Sequence, residues 1–166
     1  MDKYQELYDL TKDGLKEESA RFTHLEEKAL RYLTFIGLLY GVFGFVLDSG
    51  SLFNRHTLVG WLTVFSVAAF LFFSAGVLYY LLSSFRVAKM VIPPMTDELV
   101  HFFEDNSYLD SIFALSKGNI EACKENRNTV ANKERDLTFA HKYLRNSFIS
   151  LFVFLVLSMA HMIVAS

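Results

Sequence analysis

What the chain has little of narrows its class. One cysteine, Cys123, in 166 residues excludes a disulfide framework and a four-cysteine zinc site within a single chain. The two prolines, Pro93 and Pro94, are adjacent, so the long stretches on either side can run as uninterrupted helix. There is no phosphate-cradling glycine loop, zinc-protease helix motif or nucleophile elbow. The five histidines, His24, His56, His101, His141 and His161, never fall at a spacing that places two on one helical face. The paired carboxylates Glu17 with Glu18, and Glu26 with Glu27, read as solvated helix surface. No strand signal, internal repeat or low-complexity segment is present. These absences argue against an enzyme, and neither a metal nor a cofactor is expected.

What the chain has in abundance is apolar sequence, 52% by composition. Residues 58–82 and 148–165 contain no Asp, Glu, Lys or Arg. About 20 apolar residues span the hydrocarbon of a bilayer as a helix, and the second run just reaches across. A third run, 33–47, is shorter, but Arg31 and Tyr32 at its start can anchor at the headgroups and extend it. It follows a long charged segment and lacks a small-residue cleavage pattern, which disfavours a signal peptide. The linker 48–57, with Gly50, Asn54 and Arg55, predicts a tight hairpin between the first two spans.

The fold class expected is therefore an all-α membrane protein with three transmembrane helices and a helical cytoplasmic region. Its parts are an N-terminal amphipathic helix (1–32), a transmembrane hairpin (33–82), a cytoplasmic helical region (83–147) and a C-terminal span (148–166). Cations set the orientation. Arg21, Lys28 and Arg31 precede the first span, Arg86 and Lys89 follow the second, and Lys142 and Arg145 precede the third, against Arg55 alone on the other side. The N-terminus and the region 83–147 are expected in the cytoplasm, the hairpin and Ser166 outside.

The N-terminal arm places Tyr4, Tyr8, Thr11, Leu15, Glu18, Phe22, Leu25, Ala29 and Tyr32 at alternating steps of four and three, a heptad seam leading into the first span. Gly14 marks a possible break. Past Pro93 and Pro94, Thr96 with Asp97 and Glu98 predicts a capped helix over 97–104, with Asn106 and Ser107 as a turn. From Tyr108 one long helix is predicted into the third span, with Gly118 and Asn119 its natural interruption. Its expected seam is Leu109, Phe113, Ser116, Ile120, Cys123, Arg127, Val130, Glu134, Leu137, His141, Leu144 and Phe148. The acidic stretch 97–110 and the basic stretch 117–145 suggest pairing, within or between subunits.

Three features could carry function. Gly37, Gly41 and Gly44 share one face of the first span, where small residues let helix backbones approach, either within the chain or between copies. His161 is titratable within a span, near the outer headgroups. Arg127, Glu134 and His141 recur every seven residues in the long helix. They either fix register or oligomer state, or, joined by Lys124, Asn128 and Lys133, form a polar pocket for an anionic ligand.

The segment Glu26-Glu27-Lys28-Ala29 opening into Leu33, Gly37, Leu38 and Leu39 resembles the acidic-x-Lys-Ala pattern at the first span of Pycsar-type transmembrane effectors, and the related SLATT membrane domains share its plan. The two-span hairpin, the prolines after it, and Lys133-Glu134-Arg135-Asp136-Leu137 to Ala140, Lys142 and Tyr143 before a final span also match. The resemblance implies a homo-oligomeric effector of bacterial anti-phage immunity that conducts through or disrupts the inner membrane when a partner synthase makes a nucleotide signal. The partners implied are the lipid bilayer, further copies of the chain and that nucleotide, without direct nucleic-acid binding. The alternative is a constitutive structural or assembly subunit of a larger membrane complex. A transporter is disfavoured, because the spans lack paired buried charges and Gly/Pro-interrupted repeats.

In intact cells, a membrane-impermeant thiol reagent should label cysteine introduced at Ser51 or Ser166 but not at Ser116. Outside labelling at Ser116 would overturn the topology.

Overall fold

The computed structural model describes residues 2–48, 58–86, 90–92 and 97–165. Every regular element among them is an α-helix: α1 (Asp2–Asp48), α2 (Leu58–Arg86), α3 (Asp97–Asp105) and α4 (Tyr108–Ala165). Helices α1, α2 and α4 are long and apolar enough to cross a membrane. The hairpin linker with Gly50, Asn54 and Arg55, together with His56, Lys89, Pro93, Pro94, Thr96, Ser166 and the side chain of His161, lies outside the described residues.

The interruptions expected at Gly14 and at Gly118 with Asn119 do not occur, and α1 and α4 run through them. A glycine costs a helix interior about 1 kcal/mol relative to Ala, too little to break a helix whose neighbouring turns are packed. At the start of α4, Ser107 is a cap rather than only a turn residue. Its Oγ accepts from the Asp110 backbone N–H at 3.3 Å and donates to Asp110 Oδ2 at 2.6 Å, an N-cap that satisfies one orphan donor of the first turn. Asn106 Nδ2 donates to the Phe102 carbonyl at 2.8 Å, occupying an otherwise unpaired acceptor at the end of α3.

The chain forms two compact units, Met1–Glu26 with Val87–Glu134, and Glu27–Arg86 with Arg135–Ser166. Helices α1 and α4 contribute to both, and the divisions fall before the apolar runs that begin at 33 and 148.

The first unit is built on polar contacts. On α1, Thr11 and Glu18 are buried and Tyr8, Leu15, Phe22 and Leu25 half-buried, as the seam predicts, whereas Tyr4 at its start is exposed. On α4 the buried line is Ile112, Ser116, Asn119, Ala122, Asn126, Val130 and Lys133. It shares Ser116 and Val130 with the expected seam, but Leu109, Phe113, Ile120, Arg127 and Glu134 are exposed. The cause of this correction is specific pairing. Asn126 pairs with both backbone polar groups of one residue, its Oδ1 accepting from Val91 N–H at 2.8 Å and its Nδ2 donating to Val91 O at 2.9 Å. Asn119 Nδ2 donates to Thr11 Oγ1 at 3.4 Å. Lys133, only 1% exposed, donates to Glu26 Oε1 at 3.0 Å, with its ammonium 3.9 Å from the centre of the Phe22 ring. Such partners are invisible to a count of apolar positions. The basic stretch of α4 thus takes partners from α1, through Arg127 with Glu18 and Lys133 with Glu26.

The second unit inverts the usual order of inside and outside. Helix α2 buries Gly60, Thr63, Ser66, Phe70, Ser74, Val77, Leu81 and Ser84 and leaves Phe65, Phe72, Tyr79 and Leu82 exposed. Helix α4 continues its buried line through Leu137, Ala140, Leu144, Ser147, Leu151, Phe154 and Ser158, while His141 and Phe148 are exposed. Most of these seam hydroxyls return to their own helix: Thr63 donates to Val59 O, Ser66 to Thr63 O, Ser74 to Leu71 O and Ser158 to Phe154 O. These four pack as small residues with their donors satisfied, whereas the buried hydroxyls of Ser84 and Ser147 have no hydrogen-bond partner. Large residues fill the centre, where Phe43 stands 4.8 Å from Phe70 and 5.6 Å from Phe154 between ring centres. Tyr40 Oη meets Ser74 Oγ at 2.7 Å, and Ser83 Oγ donates to Asp136 Oδ2 at 2.7 Å.

The glycine that matters to this packing is Gly76, where any Cβ would overlap the Tyr143 ring. At Gly37, Gly41 and Gly44 an added Cβ meets nothing within 4 Å, so that stripe packs against none of the described residues. Gly76→Val should lower stability by about 1–3 kcal/mol through overpacking, read as a lower thermal midpoint in detergent. Adding Tyr143→Ala should restore part of the loss relative to Tyr143→Ala alone, and an unchanged midpoint in Gly76→Val would show that the ring is not seated there.

Candidate functional site

An open groove of about 520 Å³ runs between residues 10–21 of α1 and 120–128 of α4, wholly within the first unit. Leu10 and Ile120 supply its apolar lining. Glu17, Glu18, Arg21, Lys124, Arg127 and Asn128 supply its polar lining, beside Thr11, Gly14 and Cys123. Heptad geometry puts these residues together, because each stands on or next to the seam where two helices meet.

Glu18 organises the electrostatics. Its side chain is 6% exposed, although it stands at a seam position that an apolar residue would ordinarily occupy. Oε1 accepts from Arg127 Nε at 3.4 Å and lies 3.7 Å from an Arg21 guanidinium nitrogen. Oε2 is buried with no hydrogen-bond partner. Arg127 and Arg21 are themselves mostly exposed, so solvent weakens these pairs, and each guanidinium retains donors for another anion. With Lys124 there are three cations against the two carboxylates of Glu17 and Glu18, an excess of one positive charge.

Of the residues proposed for an anion pocket from sequence, Lys124, Arg127 and Asn128 line this groove. Lys133 does not, being enclosed by Glu26 and Phe22. Glu134 is exposed, and His141 belongs to the second unit, where its Nδ1 lies 3.2 Å from Tyr32 Oη and the rings stack at 5.8 Å. The contributions of α1 to the groove went unread in the sequence. The available signal was Glu18, a carboxylate in line with Leu15 and Phe22. Among the described residues no cluster of three or more His, Cys, Asp or Glu could hold a metal ion.

The Cys123 thiol sits 3.9 Å from the Thr11 carbonyl. Burial pushes its pKa up, the Glu18 charge pushes it further, and Arg127 opposes both. A raised thiol pKa means less thiolate at neutral pH and slower alkylation. Cys123 should therefore react with maleimide more slowly than a free thiol at pH 7, with a rate that climbs only at higher pH. Glu18→Gln removes a raising influence and should speed labelling; Arg127→Ala removes the lowering one and should slow it. Identical pH profiles in all three proteins would show that these charges do not reach the thiol.

Comparison with family models, curated proteins and solved structures finds no match to this chain.

Proposed function

We propose that the chain is a homo-oligomeric effector of the bacterial inner membrane that forms a pore or disrupts the bilayer on a nucleotide signal in anti-phage defence. Its N-terminus and first unit stand in the cytoplasm, as the cation distribution suggests, and its C-terminus stands outside. The observation that carries this reading is shared helices: α1 and α4 bound a cation-rich groove and are also two of the three helices long enough to cross a membrane. A ligand that shifts these helices at the groove acts on elements continuous with the membrane spans. Self-association is supported by the open stripe of Gly37, Gly41 and Gly44, a face suited to close helix approach that has no occupant among the described residues. The second reading, a constitutive subunit of a larger complex, is favoured by the exposed apolar side chains of Leu10, Leu109, Phe113 and Ile120 on the first unit, which a permanent partner would cover.

The test is dye release from liposomes carrying the purified full chain, measured against dose for a panel of linear and cyclic ribonucleotides. At least one nucleotide should trigger release. Arg127→Ala should shift the dose response, and Arg55→Ala should not. Gly41→Leu should reduce both release and the molar mass by light scattering. No release under any nucleotide, with a monomer at every concentration, would move the assignment to the structural subunit.

A further inference from the structure

Arg145 stands deeper among the spans than its place in the sequence suggests. In the second unit Ser83 bonds Asp136 at 2.7 Å and the Tyr143 ring lies against Gly76, so α2 and α4 run antiparallel and Arg145 falls level with Ser74. Ser74 is eight residues inside the uncharged run that ends at Leu82, about 12 Å along a helix that rises ~1.5 Å per residue. Arg145 is nevertheless exposed, and it makes no ion pair among the described residues. Lys142 differs, its ammonium lying 5.5 Å from the centre of the Phe139 ring. A cation at that depth requires an anion. No further copy of the chain in the same orientation supplies one, because residues 28–47, 58–86 and 137–165 contain no carboxylate. The bilayer itself does, in the phosphates of its lipids.

We infer that Arg145 and His141 form a site for the phosphate of an anionic phospholipid, at the cytoplasmic rim of the spans in the membrane topology proposed above, on which this inference rests. The two residues are one turn apart on α4 and share a face. Tyr32 Oη lies 3.2 Å from His141 Nδ1 with the rings stacked at 5.8 Å, which holds the imidazole in place and leaves Nε2 to meet a phosphate oxygen. A guanidinium binds two phosphate oxygens at once. Helical side chains lean toward the helix N-terminus, so Arg145 reaches back toward the headgroups. Beyond Arg145 the same flank turns apolar. Phe148 stands 6.3 Å from Phe35 between ring centres, and Phe35, Phe148 and Phe152 are 41%, 49% and 60% exposed, a surface for acyl chains that a free phosphate would not use. On the other side of the pair Lys28 stands one turn before Tyr32, while Glu27 offsets Arg31 at 3.7 Å. The surplus charge of Lys28 repels the ammonium of a zwitterionic headgroup and favours an anionic one.

Native mass spectrometry of the full chain in detergent, titrated with phosphatidylglycerol, phosphatidylcholine and glycerol phosphate, reads the lipid retained. Phosphatidylglycerol should be retained about tenfold or more over phosphatidylcholine, the scale of one charge-assisted paired contact. Glycerol phosphate should not displace it at equal concentration. In Arg145→Gln, with helical content unchanged by circular dichroism, the ratio should fall to about twofold or less. Arg145→Lys keeps the charge without the paired donors and should fall between. Lys142→Gln removes an equal charge from a neighbouring turn and should leave the ratio as it is. Equal retention of the two lipids, an unchanged ratio in Arg145→Gln, an equal loss in Lys142→Gln, or glycerol phosphate binding as tightly as lipid each overturns the site. Alkaline washing of cell membranes separates this outcome from the topology beneath it. A chain that stays in the membrane without preferring anionic lipid loses this site alone, and a chain that washes off loses both.

Discussion

Burial of the Lys133 ammonium is the constraint from which the phase of α4 follows, because a cation taken out of water must meet an opposite charge, and Glu26 Oε1 lies 3.0 Å away. The Phe22 ring on its other side adds a cation–π contact that a misrotated lysine would forfeit. Rotating α4 by one residue, about 100°, would separate this pair and also withdraw Asn126 from Val91 and Asn119 from Thr11. An apolar seam tolerates small slips, whereas a seam of paired polar groups has one acceptable register. In the second unit Leu137, Ala140, Leu144 and Ser147 of α4 are buried by contacts of their own.

The second unit depends on a different force. Between lipid-facing helices there is no hydrophobic gain in bringing apolar side chains together, so packing must come from close backbone approach and shape. Helix α2 fits that rule in turning Gly60, Thr63, Ser66, Ser74 and Ser84 inward beside Phe70 and leaving Phe65 and Phe72 outward, as does Gly76 in making room for Tyr143. The two units thus place large apolar side chains by different rules along the same two helices.

This change of rule explains what could be read from residues alone. The helices were legible, since the apolar runs, the prolines and the four-three spacing of α1 leave little choice. The seam of α1 was legible for the same reason. That of α4 was not, because Asn119, Asn126 and Lys133 look like surface until their partners are known, and Phe148 looks like core although it is exposed. At the groove, Lys124, Arg127 and Asn128 could be grouped from one helix. Their meeting with Glu18 and Arg21 could not, since α1 and α4 are brought together by a fold that joins residues more than a hundred positions apart.

The hydroxyls of Thr63, Ser66, Ser74 and Ser158, each already bonded to a carbonyl of its own helix, bear on how the protein is made. A helix hydroxyl satisfied internally needs no neighbouring helix to take up its donor, in water or in lipid. Assembly can then proceed as lateral association of finished helices, in whatever order synthesis delivers them. The first unit differs, because its buried lysine and asparagines take partners from outside α4, Lys133 and Asn119 from α1 and Asn126 from Val91.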